Sequence, residues 1–237
     1  EYQLLHRDLQ LVSLEAGQNL SIPGSPFEYV YFPLNALIAI ANQMPDGQAM
    51  DMAIVGSESS VGLIGLFKSK CSYRVYVANS GLAYKIAMPK VKQYFDVAGS
   101  WMHKLYVQAN HRILEQIVTE TTCASYHSVK ARTARWLLTR SQHLGKTILE
   151  VTHQSMADSL GVRREGITHS LASLPGIHFC RNRIEVTDRF ALEQASCDCY
   201  HAINETRTGQ KTLPFKKYGD QFPNVRNVRS GRPEHRH

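Results

Sequence analysis

Residues 152–174 constrain the fold more tightly than any other stretch of the chain. Two short runs of helical periodicity meet there at a single glycine. Thr152 is placed to cap the first helix with its hydroxyl. Met156, Ala157 and Leu160 give that helix an inward stripe, and Gly161 supplies the left-handed backbone that a tight turn between helices requires. Ala157 is small where two helices must cross closely. The second helix turns Val162, Ile167, Leu171 and Leu174 inward, which leaves Arg163, Arg164, Glu165, Thr168 and His169 on its exposed N-terminal half. This is the pattern of a helix-turn-helix. Arginine bonds guanine bidentately and glutamate accepts from the cytosine amine, so these exposed residues are expected to be groove-reading side chains. Arg163 and Thr168 are expected to meet phosphate, which a helix N-terminus favours. A plain helical hairpin with solvated charges has no need of a small residue, a glycine and apolar positions in this register.

The segment that follows fits the same reading. Residues 177–186 alternate, with Phe179 and Ile184 among the apolar positions and Asn182 where a tight turn falls, so a hairpin wing is expected. Arg181 and Arg183 flank that turn and are candidates for phosphate contacts, which position a domain without specifying sequence.

Upstream, residues 9–90 read as a β-rich domain. Apolar runs at 9–14, 29–32, 37–41, 52–55, 73–78 and 82–86 are separated by glycine, proline, asparagine and aspartate, the spacing of an antiparallel roll. Gly17, Gly24, Pro45-Asp46-Gly47, Gly56 and Asn79-Ser80-Gly81 are its expected corners. A metal-dependent enzyme on such a roll needs clustered histidines with a carboxylate, and residues 1–96 hold one histidine, His6. No nucleophile elbow, Walker loop or dinucleotide fingerprint is present, so an enzyme is not expected.

Between roll and reading domain, residues 97–122 take helical periodicity with Met102, Leu105, Ala109, Ile113 and Gln116 or Ile117 along one face. The next position on that stripe is the charged Glu120. The stripe is longer than one roll needs, so this helix is expected to pair with its twin in a homodimer, with packing on the chain's own core as the alternative. A further helix over 128–143, ending at Gly145, leads to a strand over 147–151.

Composition bounds the rest. A chain of 237 residues with 43% hydrophobic content supports two modest cores, and its net charge of +7 favours a polyanionic partner. No apolar run reaches the roughly 18 residues needed to cross a bilayer, and no secretory leader is visible, so no membrane partner and a cytoplasmic location are expected. The chain opens at Glu1 rather than methionine, and a trimmed start is expected. Five cysteines, Cys71, Cys123, Cys180, Cys197 and Cys199, are scattered and odd in number, which argues against a disulfide framework. Cys197-Asp198-Cys199 with nearby His201 invites a metal, but along the chain a fourth ligand is not evident. No metal and no cofactor are expected.

The order of roll, long helix and winged helix-turn-helix, together with Thr152-x-Gln154, Gly161 and Arg164-Glu165, resembles the Crp/Fnr superfamily of bacterial transcription regulators over about residues 4–202. The resemblance implies that Arg164, Glu165 and His169 face bases and that Thr152 and Gln154 contact phosphate. His169 stands where the family commonly has arginine, which implies a different base preference. Leu174-Pro175-Gly176-Ile177 is shorter than the family's usual connection to the wing. Cyclic-nucleotide modules of this type hold ribose with a glutamate after glycine and the phosphate with an arginine several residues on. In Gly62-Leu63-Ile64-Gly65-Leu66-Phe67 the glutamate position is Leu63, which accepts no hydrogen bond. Tyr73 falls at the arginine position and Arg74 one place later, on the opposite face of a strand. Cyclic AMP binding is therefore not expected. The oxygen-sensing branch needs an N-terminal cysteine group, and the first cysteine here is Cys71.

The expected fold is α+β: an N-terminal antiparallel β-roll of the jelly-roll, cyclic-nucleotide-binding-like type (1–96), a dimerisation helix (97–126), a winged helix-turn-helix (127–203) and a basic, disordered tail (204–237). The expected function is a homodimeric transcription regulator bound to double-stranded DNA at a pseudo-palindromic site, with RNA polymerase as a further candidate partner. The alternative is a ligand-sensing or protein-interaction module that does not bind DNA.

Overall fold

Alternating apolar residues in short strands fold residues 10–87 into two antiparallel sheets that face each other. A computed structural model describes residues 2–44, 48–67, 70–97 and 101–208. After a short helix α1 (Tyr2–Asp8) come β1 (Gln10–Leu14), β2 (Asn19–Ser21), β3 (Tyr29–Pro33), β4 (Leu37–Gln43), β5 (Ala49–Val55), β6 (Arg74–Asn79) and β7 (Gly81–Ala87). One sheet runs β1-β7-β3 and the other β2-β6-β4-β5, all neighbours antiparallel. Val30 and Phe32 of the first sheet and Ile38, Ile40, Val75 and Val77 of the second share one core. All five residues from Leu37 to Ala41 are buried, because β4 is covered on both faces.

The sequence reading finds six of these seven strands and misses β2, whose three residues are too few for an alternation to register. It also misses α1 and α2 (Met88–Phe95), both too short to repeat a helical stripe. Pro45-Asp46-Gly47, an expected corner, lies outside the described residues.

The long helix α3 (Trp101–Tyr126) packs against β5, and here the expected dimer seam is corrected. Met102, Leu105 and Ala109 are buried in the core of the roll, and Ile113 packs on that core from a half-buried position. Gln116 turns the same way, its Oε1 accepting the Ile54 N–H at 2.9 Å. A helical stripe records that something covers it, not what does. Apart from Tyr126 at its last position, the exposed large apolar residues of α3 are Val107, Leu114 and Val118, at 63, 59 and 57%. Spaced seven and four apart, they form a separate stripe.

Helix α4 (Val129–Leu144) starts at Ser128, whose Oγ accepts the Ala131 N–H, and stops at Gly145 in the left-handed region. Then follow β8 (Ile148–Glu150), α5 (His153–Leu160), α6 (Arg164–Ser173), β9 (Ile177–Cys180), β10 (Arg183–Val186), α7 (Arg189–Gln194) and α8 (Cys199–Thr208). The second core gathers Leu137 and Leu138 of α4, Met156, Ala157 and Leu160 of α5, Ile167 and Leu171 of α6, and Ile184 of β10. The three-stranded sheet β8-β10-β9 closes it. Because α8 runs to Thr208, residues 204–208, read from sequence as the start of the tail, are helical, and the rest of that tail lies outside the described residues. Among the described residues no helix is long and apolar enough to cross a membrane.

Candidate nucleic-acid interface

Thr152 begins the site. Its Oγ1 accepts the Ser155 N–H at 3.0 Å while Ser155 Oγ accepts the Thr152 N–H at 3.1 Å, a reciprocal cap that fixes where α5 starts. At the other end Gly161 adopts φ 62°, and the following Val162 N–H returns to the Ala157 carbonyl at 3.0 Å. A Cβ on Gly161 would stand 3.2 Å from Met50 of the roll, so the turn is hemmed in by the neighbouring domain as well as by its own backbone.

The turn aims α6. Ile167 and Leu171 are buried, which rolls Arg163, Arg164, Glu165, Thr168 and His169 into solvent. Arg163 is the N-terminal flanking residue, and its side chain caps nothing. Arg164 and Glu165 occupy the first turn, and Thr168 and His169 the second. All five expected groove residues therefore share one exposed half-helix. Gln154 is exposed on α5 with Nε2 donating to Asp158 Oδ1 at 2.7 Å.

The wing turn is Arg181-Asn182, both at positive φ (31° and 48°), the two-residue form whose twist suits a hairpin. Arg181 thus sits in the turn and Arg183 opens the return strand, and both are exposed. The short connection noticed in the sequence is made possible by Gly176 at φ 72°, where any Cβ would collide with the Asp188 carbonyl oxygen. The sequence reading passed over His153. Its Nδ1 lies 2.9 Å from Thr168 Oγ1 and its ring 4.6 Å from that of Phe179, so one side chain ties α5, α6 and the wing together. Burial and the nearby charge of Arg164 lower its pKa. Its position directly after the cap was the available signal.

The reading domain is docked on the roll by buried polar contacts. Arg140 of α4 donates to Asp51 Oδ2 of β5 at 3.1 Å and to Asn79 Oδ1 at 3.0 Å, and its guanidinium lies 4.1 Å over the Trp136 ring. Asp51 also accepts from Tyr76 at 2.7 Å and from Ser159 of α5. Burial pushes the Asp51 carboxyl up and the Arg140 guanidinium down, each opposed by the other's charge. Nearby, His143 Nδ1 meets Glu58 Oε2 at 3.4 Å.

Where a cyclic nucleotide would sit, residues 62–66 form a tight turn with Leu63 buried in the roll core. The cavity bounded by Ser60, Gly62, Leu63, Tyr73, Ala109 and Ile113 measures about 30 Å³. Arg74 faces away from it, its Nε bonding Asn19 at 2.8 Å and its guanidinium lying over Tyr76. The strand parity read from sequence puts it there.

A second cluster joins the two ends of this half of the molecule. Cys123 and His127, one turn apart at the end of α3, meet Cys197 and Cys199 at the start of α8, with all four candidate ligand atoms within 4.8 Å of one another. Sequence reasoning looked for partners of Cys197 and Cys199 nearby in the chain and considered His201, whereas the partners come from more than 70 residues upstream.

Comparison with known proteins places this geometry. Residues 131–195 match the Crp-like helix-turn-helix domain. The chain is 26% identical to the global nitrogen regulator of Synechococcus elongatus, over 78% of this chain and 89% of that protein. In fold it is similar to FixK2 from Bradyrhizobium japonicum (14% identity, TM-score 0.68, 80% of this chain and 98% of that one). It is likewise similar to a CRP/FNR-family transcriptional regulator from Thermus thermophilus (22% identity, TM-score 0.66, 79% and 98%).

Proposed function

We propose that the chain is a Crp/Fnr-type transcription regulator, not an enzyme, and that it binds DNA as a sequence-specific homodimer in the cytoplasm. One observation carries the reading: Arg163, Arg164, Glu165, Thr168 and His169 crowd the exposed N-terminal half of a helix whose other face is buried. Arg164, Glu165 and His169 read base edges in the major groove. Thr152, Gln154, Arg163, Thr168, Arg181 and Arg183 hold phosphates on either side.

Two copies pair through the exposed α3 stripe of Val107, Leu114 and Val118. Their reading helices then enter successive major grooves about 34 Å apart, and the site is an inverted repeat. RNA polymerase is the further partner of such a complex. The roll does not take a cyclic nucleotide in the family's manner, because Leu63 and Tyr73 offer neither the carboxylate nor the guanidinium and the cavity beside them, about 30 Å³, has room for no more than a few waters. An effector acts by binding one arrangement of roll and reading domain better than another.

Selection of bound duplexes from a random library by the purified protein tests the proposal. Enrichment of an inverted repeat with one-turn spacing is expected, with affinity falling steeply as salt rises. Binding without sequence preference, or none at any salt, would favour a module whose helix-turn-helix serves packing alone.

A further inference from the structure

We propose that Cys123, His127, Cys197 and Cys199 bind one zinc(II) ion, which fastens the end of α3 to α8. Four ligand atoms of the right kind gather in a space that one small ion can bridge, and two of their separations are already those of a zinc tetrahedron. Cys123 Sγ and Cys197 Sγ are 3.4 Å apart, Cys199 Sγ and His127 Nδ1 are 3.5 Å apart, and the four ligand atoms lie within 4.8 Å of one another. Zinc bonds of about 2.3 Å to sulfur and 2.0–2.1 Å to nitrogen put neighbouring ligands of a tetrahedron roughly 3.4–3.8 Å apart. A cluster of several irons spreads its thiolates more widely than a single ion does. Three thiolates and an imidazole are a closed structural zinc set, and so soft a set discriminates against magnesium and calcium.

The secondary structure presents these ligands. Cys123 and His127 are four apart on one helical turn, whose last hydrogen bond runs from the His127 N–H to the Cys123 carbonyl at 3.0 Å. Cys197 and Cys199 flank the exposed Asp198 where α8 begins. Cys123 and Cys197 are buried, at 0 and 5%, and all the cysteines are free thiols, so three sulfur ligands and an imidazole stand together with no disulfide among them.

Charge is balanced as well once Glu120, the bidentate partner of Arg135, is counted with the two arginines beside the site. Three thiolates, a neutral imidazole and a dication sum to one negative charge. The positive charges of Arg132 and Arg135 on α4 bear on Cys123 and Cys197, and the Nε of each arginine is buried with no hydrogen-bond partner among the described residues. Binding releases the three thiol protons to solvent and changes no oxidation state.

The site spans the junction of the long helix and the reading domain. Helix α8 is itself docked on α4 by Tyr200, whose buried ring joins the second core and whose hydroxyl donates to Gln142 at 3.1 Å. The ion therefore fixes the angle at which α3 passes into α4, and through α4 the pose of α6. This last consequence rests on the DNA-binding function proposed above, whereas the metal site does not.

The full chain, freed of metal with a chelator under reducing conditions and titrated with cobalt(II), tests the site. One cobalt per chain is expected, with the intense visible bands of a tetrahedral thiolate centre and their loss when zinc(II) is added. Cys199→Ser and His127→Gln alter the two half-buried ligands and should weaken cobalt binding at least tenfold with an unchanged circular dichroism spectrum, whereas Cys180→Ser should bind as wild type. Absence of the tetrahedral spectrum in wild-type protein whose five thiols titrate as reduced would overturn the site, as would its persistence at full strength in both ligand variants. Anisotropy on a selected duplex, run beside the titration, separates the two proposals: DNA binding without cobalt binding rejects the metal site alone, and the converse rejects the reading domain alone.

Discussion

Arg140 and Asp51 meet at 3.1 Å across the boundary between two cores, both almost wholly buried. Such a pair is more costly to break than to remove, because a single deletion leaves the other charge buried without its partner. Asp51→Ala is expected to destabilise the protein by about 3–5 kcal/mol, and adding Arg140→Met to recover most of the loss. Chemical denaturation of the two variants checks it. Equal losses in both would show that shape, not charge, holds the domains together.

Acid should loosen the same boundary through Glu58. Burial opposes its ionisation, but the charge and hydrogen bond of His143 and the Gly56 N–H outweigh burial and hold its carboxyl at about 2, below the ordinary 4.5. Glu58 and His143 line a small cavity together with Arg112 and Glu115 of α3. A carboxyl depressed by folding stabilises above its unfolded value, and that contribution is lost as pH falls from about 4.5 towards 2. Over that window wild type should lose up to about 3 kcal/mol more stability than Glu58→Gln. Parallel pH profiles for the two proteins would remove the linkage.

On the long helix the two stripes should answer differently to charge. Leu114→Glu is expected to leave the fold intact and shift sedimentation from dimer to monomer. Ile113→Glu, one residue away, is expected instead to cost about 2–4 kcal/mol of stability by forcing a carboxylate against the roll core. A dimeric Leu114→Glu protein would take that face out of the interface.

Within the groove, Arg164→Ala should cost about 1–3 kcal/mol on the preferred site and relax selection at one base pair. Competition binding across single-base variants of the site reads this directly. Uniform losses on every sequence would make Arg164 a phosphate ligand.

The wing should contribute affinity without specificity. Replacing Arg181 and Arg183 with alanine is expected to flatten the slope of log affinity against log salt by about 0.9 for each phosphate no longer neutralised, with base preferences unchanged. An unaltered slope would leave the wing off the DNA.

The reading domain was legible because its demands are local. One cap at Thr152, one glycine at 161, and Ile167 and Leu171 turned inward on α6 between Val162 and Leu174 specify a turn within a couple of dozen positions. The roll's strands were legible for the same reason. The cover of α3 was not, since the periodicity of Met102, Leu105 and Ala109 is the same whether a twin helix or the chain's own sheet lies over it. Glu120, read as the end of a seam, is half of a bidentate pair with Arg135 of α4 at 2.5 and 2.6 Å. Nor can spacing reveal the meeting of Cys123 with Cys197, because a long-range contact between two helix ends leaves no local pattern.

Helix α4 belongs to both halves of the molecule. A fragment beginning at residue 127 would keep the whole helix-turn-helix and wing, yet it would carry Arg135 without Glu120, Arg140 without Asp51 and His143 without Glu58. One cut in the chain would leave three buried basic side chains without their acids. The reading domain is modular in its chain order and not in its energetics, so a graft of it onto another sensor must bring along a replacement for the wall of the roll.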